Sequence, residues 1–329
     1  MAFLTVSVAG GSYDRTRALF DGRVQIEGCR IIPLPLSPEE TFHRAVRFQE
    51  FDITELSLSS YLVATAREMS AYAAIPVFPS RSFRHSAIYV RADRGIGGPR
   101  DLKGRQVGVP EYQMTAAVWV RGMLEEDHGV KPSDIRWRTG GLHEAGRKEK
   151  IILDLPKDIE RAPIGDSETL SGLLETGAID VLISPIPPAC FGKSPNIVRL
   201  FSDYRAVEAD YFARTGIFPI MHVVGIRRSL LADHPWLAVS AYKAYLRAKE
   251  ICYRELESMG SLYSTAPWPV ASLGDARALM GEDFWSYGAA ANAKVVDTAS
   301  RYCHRQGLTP RPLSISEIFV PSTLDLARV

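Results

Sequence analysis

Short apolar runs alternate with helix-forming runs through the first part of this chain, and that alternation restricts the possible folds most strongly. Phe3 to Val8 reads as a strand and Thr16 to Phe20 as a short helix. Ile31 to Leu36 reads as a second strand, broken by Pro33 and Pro35. Pro38 to Phe48 is an amphipathic helix begun by Ser37, with Glu40 placed three positions on to complete a capping box. Asp52 to Leu58 then returns as a strand and Leu62 to Glu68 as a helix. A βαβα series of this kind predicts a mostly parallel sheet covered by helices.

The series restarts in the middle of the chain. Gln106 to Val109 is a short apolar strand that runs into Pro110, which cannot continue a ladder, and Thr115 stands where an N-cap belongs before the helix-forming run Ala116 to Leu124. Backbone N–H groups at such a helix start favour an anion, so Tyr112, Met114 and Thr115 are candidate binding residues. A further strand, Ala178 to Ile183, ends in the loop Ser184-Pro185-Ile186-Pro187-Pro188, which makes Ser184 another candidate at a strand end. With 329 residues the chain exceeds what a single core usually supports. A Gly-rich segment from Arg91 to Pro99 and the extended stretch Ile217 to Ile226 read as crossings between two lobes. Lobe 1 is thus expected from residues 1–93 and 221–329, including helices from Pro235 to Ser258, Asp275 to Met280, Asp283 to Tyr287 and Ala290 to Gln306, and lobe 2 from residues 94–220.

Charge and cysteine usage narrow the function classes. A formal net charge of +1 supplies no field for steering nucleic acid or an anionic membrane, so any anion affinity must be local. Cys29, Cys190, Cys252 and Cys303 form no Cys-x-x-Cys pair, and the seven histidines form neither His-x-x-x-His nor His-Glu-x-x-His, so spacing suggests no metal site. Reduced thiols fit a cytoplasmic protein. The opening Met1 to Gly11 reads as the first strand and not as an export signal, and no apolar run reaches the ~18–20 residues of a membrane span.

Five segments carry a resemblance: Ser12-Tyr13-Asp14-Arg15-Thr16 with Leu19-Phe20-Asp21-Gly22, Phe51 to Tyr61, Arg81-Ser82-Phe83-Arg84-His85-Ser86, Gly108 to Gly122, and Phe218-Pro219-Ile220-Met221-His222. In these the chain resembles the 4,5-dihydroxyphthalate decarboxylase family, which looks like a cytoplasmic offshoot of the type II periplasmic-binding-protein fold. The resemblance implies an α/β fold of two lobes joined by two crossing strands, with a ligand cleft between the lobes. It also implies cofactor-free decarboxylation of a hydroxylated aromatic carboxylate. The alternative is a solute-binding protein that captures a small carboxylate without chemistry. The expected partner is a small aromatic carboxylate, with no nucleic acid and no membrane, and base rates alone favour a homo-oligomer.

Each candidate residue also has a plainer reading. Arg81, Phe83 and Arg84 with His85 form a carboxylate clamp with an aromatic cover, or a solvated basic loop. Glu55, followed by Ser57 and Ser59, falls at the end of a parallel strand, where open α/β sheets place ligands. It serves proton transfer, or it ion-pairs with Arg81 or Arg84. Ser12, Tyr13 and Asp14 follow the first strand behind Gly10-Gly11, a weak signal taken singly. Trp119 reads as core and Arg121 as part of a surface pair. His85 and His222 sit in segments expected to cross side by side, where either is a proton donor with Glu55 beside it, or a satisfied core residue.

Overall fold

The computed structural model describes residues 3–258 and 260–326. Among these the strands are β1 (Leu4–Gly10), β2 (Cys29–Pro35), β3 (Ile53–Ser57), β4 (Tyr72–Arg81), β5 (Ile88–Arg91), β6 (Gln106–Val109), β7 (Arg136–Thr139), β8 (Arg161–Pro163), β9 (Val181–Ile183), β10 (Ile197–Arg199) and β11 (Ile220–Arg227). They form two mixed sheets, ordered β2-β1-β3-β11-β4 and β10-β5-β9-β6-β7-β8.

The first sheet belongs to a unit made of Met1–Arg81, Ile220–Asp297 and Leu313–Val329. In it β1 pairs in parallel with β2 and β3, while β11 runs antiparallel to both β3 and β4. Pro33 and Pro35, expected to break the second strand, lie inside an unbroken β2. That strand is at the sheet edge, where a missing N–H costs no ladder bond. Ser37 caps the next helix through Glu40 N–H at 3.4 Å, with Pro38 in its first turn. Asp283 to Tyr287 forms turns and not the expected helix, and the helix before it runs from Pro269 to Met280.

The second unit is Ser82–Pro219 with Thr298–Pro312. Here β6, β7 and β8 run parallel, β9 is parallel to β6, β5 is antiparallel to β9, and β10 is antiparallel to β5 at the sheet edge. Residues 82–93, expected with the first lobe, enter this unit because β5 pairs with both β9 and β10. Residues 298–312 join it as well, since Tyr302 Oη donates to Glu126 at 2.6 Å and Gln306 binds Arg121 and Val118 O. Trp119 and Trp137 fill its core. Among the described residues no helix is long and apolar enough to cross a membrane.

Candidate active site

In the first unit, strand register decides which polar side chains meet. Ala9 lies opposite Thr54, so Gly10 runs alongside Glu55 at the C-terminal end of two parallel strands. On the other side of β3, His222 lies opposite Ser57 and Val224 opposite Glu55. Residues two apart share a face, so Glu55 and His222 are diagonal neighbours on one face of the sheet. Their side chains are joined: His222 Nδ1 lies 2.5 Å from Glu55 Oε1. Tyr13 Oη donates to the same oxygen at 3.0 Å, and Gly11 N–H donates to Oε2 at 2.8 Å.

The glycine pair makes this packing possible. A Cβ on Gly10 would sit 3.1 Å from Glu55 Oε2, and one on Gly11 would lie 2.3 Å from the Tyr13 ring. Glu55 is 2% exposed. Burial by itself would raise its carboxyl, but the charge of His222 and hydrogen bonds from His222, Gly11 and Tyr13 outweigh burial and hold it below its ordinary value. The Tyr13 hydroxyl is raised, by burial first and then by the Glu55 charge. Phe42 sets its ring edge-on to His222 at 4.8 Å, so the imidazole is held by a carboxylate on one side and an aromatic wall on another.

The remaining candidates of this unit are placed as follows. Ser12 and Asp14 are exposed, and Asp14 pairs with Arg15 at 3.0 Å. Ser57 ends β3, where its hydroxyl accepts from Ser60 at 3.4 Å, and Ser59 is buried. Arg81 is buried, with Nη2 donating to Ser286 O at 2.7 Å and to Asn292 Oδ1. Burial pushes its guanidinium down to about 10. Glu55 therefore takes His222 and Tyr13 as partners, whereas Arg81 is held by the C-terminal segment.

The second unit holds the rest. His85 is buried between the rings of Phe201, at 5.5 Å, and Tyr211, at 5.2 Å, with Nδ1 3.9 Å from Glu208. Burial pushes the imidazole down to about 4. It is a neutral group in an aromatic box. Phe83 packs on Phe218 at 4.7 Å, and Arg84, half-buried, is pushed down to about 10 by burial against the opposing charge of Glu208. Ser184 is buried and accepts from Ile186 N–H at 3.2 Å, shaping the loop after β9. Met114, and not Thr115, is the N-cap residue of the helix Thr115–His128, and Thr115 is buried in its first turn.

Two expectations in this unit need correction. Tyr112 offers neither hydroxyl nor ring to a ligand: it is fully buried, with its ring under the Arg121 guanidinium at 3.8 Å and its hydroxyl 3.5 Å from Gln306 O. Arg121 is not a surface residue but a buried cation bound to Gln306 Oε1 at 2.7 Å and Tyr112 O at 2.5 Å. A cavity over the C-terminal ends of β6, β7 and β8, lined by Pro110, Thr139, Arg147, Arg161 and Ile164, holds none of the residues selected from sequence. Of its cations, Arg147 and Arg161 are paired with Glu111 and Glu149.

Sequence reasoning missed Arg15. Its guanidinium lies 4.4 Å from the Tyr13 ring centroid and 4.0 Å from that of Trp285, and its Nε donates to Pro79 O at 2.6 Å. The available signal was its place in the Ser12 to Thr16 segment, two residues after Tyr13.

The fold is of the periplasmic-binding-protein type. A family model described as ABC transporter, phosphonate, periplasmic substrate-binding protein matches residues 26–155. The solved periplasmic sulfonate-binding protein SsuA of Methylobacillus flagellatus superposes with a TM-score of 0.57 at 14% identity, covering 97% of this chain and 92% of its own. A 4,5-dihydroxyphthalate decarboxylase of Comamonas testosteroni is 47% identical over 100% of both chains. One from Pseudomonas putida is 52% identical over 64% of this chain and 81% of its own. The chain belongs to the 4,5-dihydroxyphthalate decarboxylase family.

Proposed function

We propose that this protein is a carboxy-lyase that converts 4,5-dihydroxyphthalate to 3,4-dihydroxybenzoate and CO2, with His222 as the acid and Glu55 as its positioning partner. Family membership supports the reaction, and the Glu55–His222 hydrogen bond is the observation that carries the assignment of roles.

Each carboxylate of the substrate stands para to a hydroxyl. Loss of that hydroxyl's proton to solvent raises electron density on the ring carbon that bears the carboxylate, and the phenolate takes a proton back once CO2 has left. A proton delivered there forms the new C–H bond and leaves a cyclohexadienone. The bond to the carboxylate then breaks, its electron pair returns to the ring, and CO2 departs. One proton is consumed for each CO2 released, so an acid must be held at the ring and then reprotonated. With Nδ1 on Glu55, the other imidazole nitrogen of His222, Nε2, is the one available to exchange that proton. Glu55 stays ionised and fixes the ring orientation, and Tyr13 supports Glu55 from the far side. No step calls on a cofactor.

The test is incubation with 4,5-dihydroxyphthalate while following CO2 and 3,4-dihydroxybenzoate. Binding of the substrate without CO2 release would instead favour capture without chemistry, the alternative its binding-protein fold suggests. Unchanged turnover after treatment with a chelator is expected; loss of activity restored by a divalent metal would replace the His222 acid with Lewis-acid activation. A cytoplasmic location is also part of this proposal, supported by four free, buried cysteines that suit a reducing compartment.

A further inference from the structure

We propose that Arg15 is the anion clamp of this site and holds the carboxylate that the substrate keeps. This deepens the proposed decarboxylation and rests on it. A phthalate carries two carboxylates, only one of which leaves, and the other needs a cation next to the His222–Glu55 pair. Arg81, in the same unit, is buried and hydrogen-bonded to Ser286 O and Asn292, so it holds the fold together. Arg15 is placed differently.

Three features fix its guanidinium while leaving one edge available. Its plane is flanked by Tyr13 and Trp285, at 4.4 and 4.0 Å, contacts that hold a planar cation without occupying its N–H donors. Nε is anchored on Pro79 O at 2.6 Å. That carbonyl lies in β4 where the register with β11 is irregular: His222 pairs with Ser80, but Val224 pairs with Ile75. The interruption leaves the Pro79 carbonyl available to a side chain. Nη1 meets Asp14, which is exposed, and Nη2 has no hydrogen-bond partner among the described residues, with 16% of the Arg15 side chain accessible.

Tyr13 ties the clamp to the proposed acid. One ring carries Arg15 against its face and, through its hydroxyl, Glu55, which in turn holds His222. A carboxylate on Nη2 would therefore be registered against the imidazole through a single rigid side chain.

The experiment compares ligands that differ by one carboxylate. Binding of 3,4-dihydroxybenzoate and of catechol is measured for the parent, Arg15→Met and Arg15→Lys. The parent should favour 3,4-dihydroxybenzoate. Arg15→Met should weaken that ligand by about 30-fold or more, the scale expected when a charged partner is removed, while catechol changes by no more than about 3-fold. Arg15→Lys should fall between, because it keeps the charge and loses the planar fork. With 4,5-dihydroxyphthalate the loss should appear mainly in KM. Equal effects of Arg15→Met on both ligands, or no preference of the parent for the carboxylate, would overturn the clamp. If Arg15→Met does not fold, Arg15→Lys decides on the same comparison. Should the parent show the carboxylate preference, and Arg15→Met abolish it, while no CO2 is released from 4,5-dihydroxyphthalate, the clamp stands and the decarboxylase reading falls.

Discussion

His222 and His85 show how surroundings give one side-chain type two kinds of work. His222 is braced by a buried carboxylate and, in the proposed reaction, exchanges a proton through its other nitrogen; His85 is boxed by Phe201 and Tyr211. Replacing His222 with Asn should lower turnover by about 10²–10⁴ with little change in substrate affinity, whereas His85→Asn should turn over near the parental rate. Comparable losses in both variants, read from steady-state kinetics, would refute this division. His85 has a separate consequence for stability. Its imidazole is down to about 4 in the fold but titrates near 6.5 in the unfolded chain, so between those values the unfolded state binds the extra proton. Stability present above pH ~6.5 is therefore lost as pH falls toward 4, by about 3 kcal/mol at most. Glu208 gives little relief, since burial raises its own carboxyl. Denaturant midpoints of His85→Asn should vary less over that pH window than those of the parent, and parallel pH profiles would count against the assignment.

At the scale of elements, the site depends on the close approach of β1 to β3 and on the turn that follows β1. Gly11→Ala places a Cβ 2.3 Å from the Tyr13 ring, so the ring must move and its bond to Glu55 must break or stretch. The expected outcome is a loss of turnover of about 10-fold or more from a misplaced positioning network, with a smaller loss of stability of ~1–3 kcal/mol from overpacking. Parental kcat in a folded Gly11→Ala protein would show that Tyr13 does not help position the acid. β4 makes the related point for irregular strands. Its prolines and shifted pairing with β11 open a carbonyl that a regular ladder would have used, and Arg15 takes it.

For the whole molecule, neither unit is a continuous stretch of chain: boundaries fall after Arg81, Pro219, Asp297 and Pro312. The second unit needs its distant segment. Without 298–312, the buried Arg121 loses Gln306 and the space beside Gly122, where a Cβ would lie 2.1 Å from the Tyr302 ring, is left uncovered. Removing one hydrogen-bond partner of a buried cation together with the aromatic packing beside it costs several kcal/mol, comparable with the full stability of many domains. A fragment of residues 82–219 is therefore expected to lack dispersed amide NMR signals, and a peptide of residues 298–312 added in trans should partly restore them. A well-dispersed spectrum from the fragment alone would show that the segment is dispensable.

Local chemistry made much of this molecule legible from the chain alone. Alternating strands and helices, the Ser37 cap and the apolar Gln106 to Val109 run depend on neighbours in sequence, and so did the expectation of a parallel-rich α/β fold. The match of five separated segments to one family carried the reaction class. What tertiary structure decided was partnership. Glu55 could have met an arginine, and nothing near it in sequence said otherwise; the antiparallel register of β11, 167 residues away, set His222 beside it. Arg81 and Tyr112 looked available until the fold buried them, and Arg15 looked ordinary until Tyr13, Trp285 and Pro79 converged on it. Short-range propensity selects elements, whereas the identity of a side chain's partner is fixed by register and long-range packing, which no local pattern encodes.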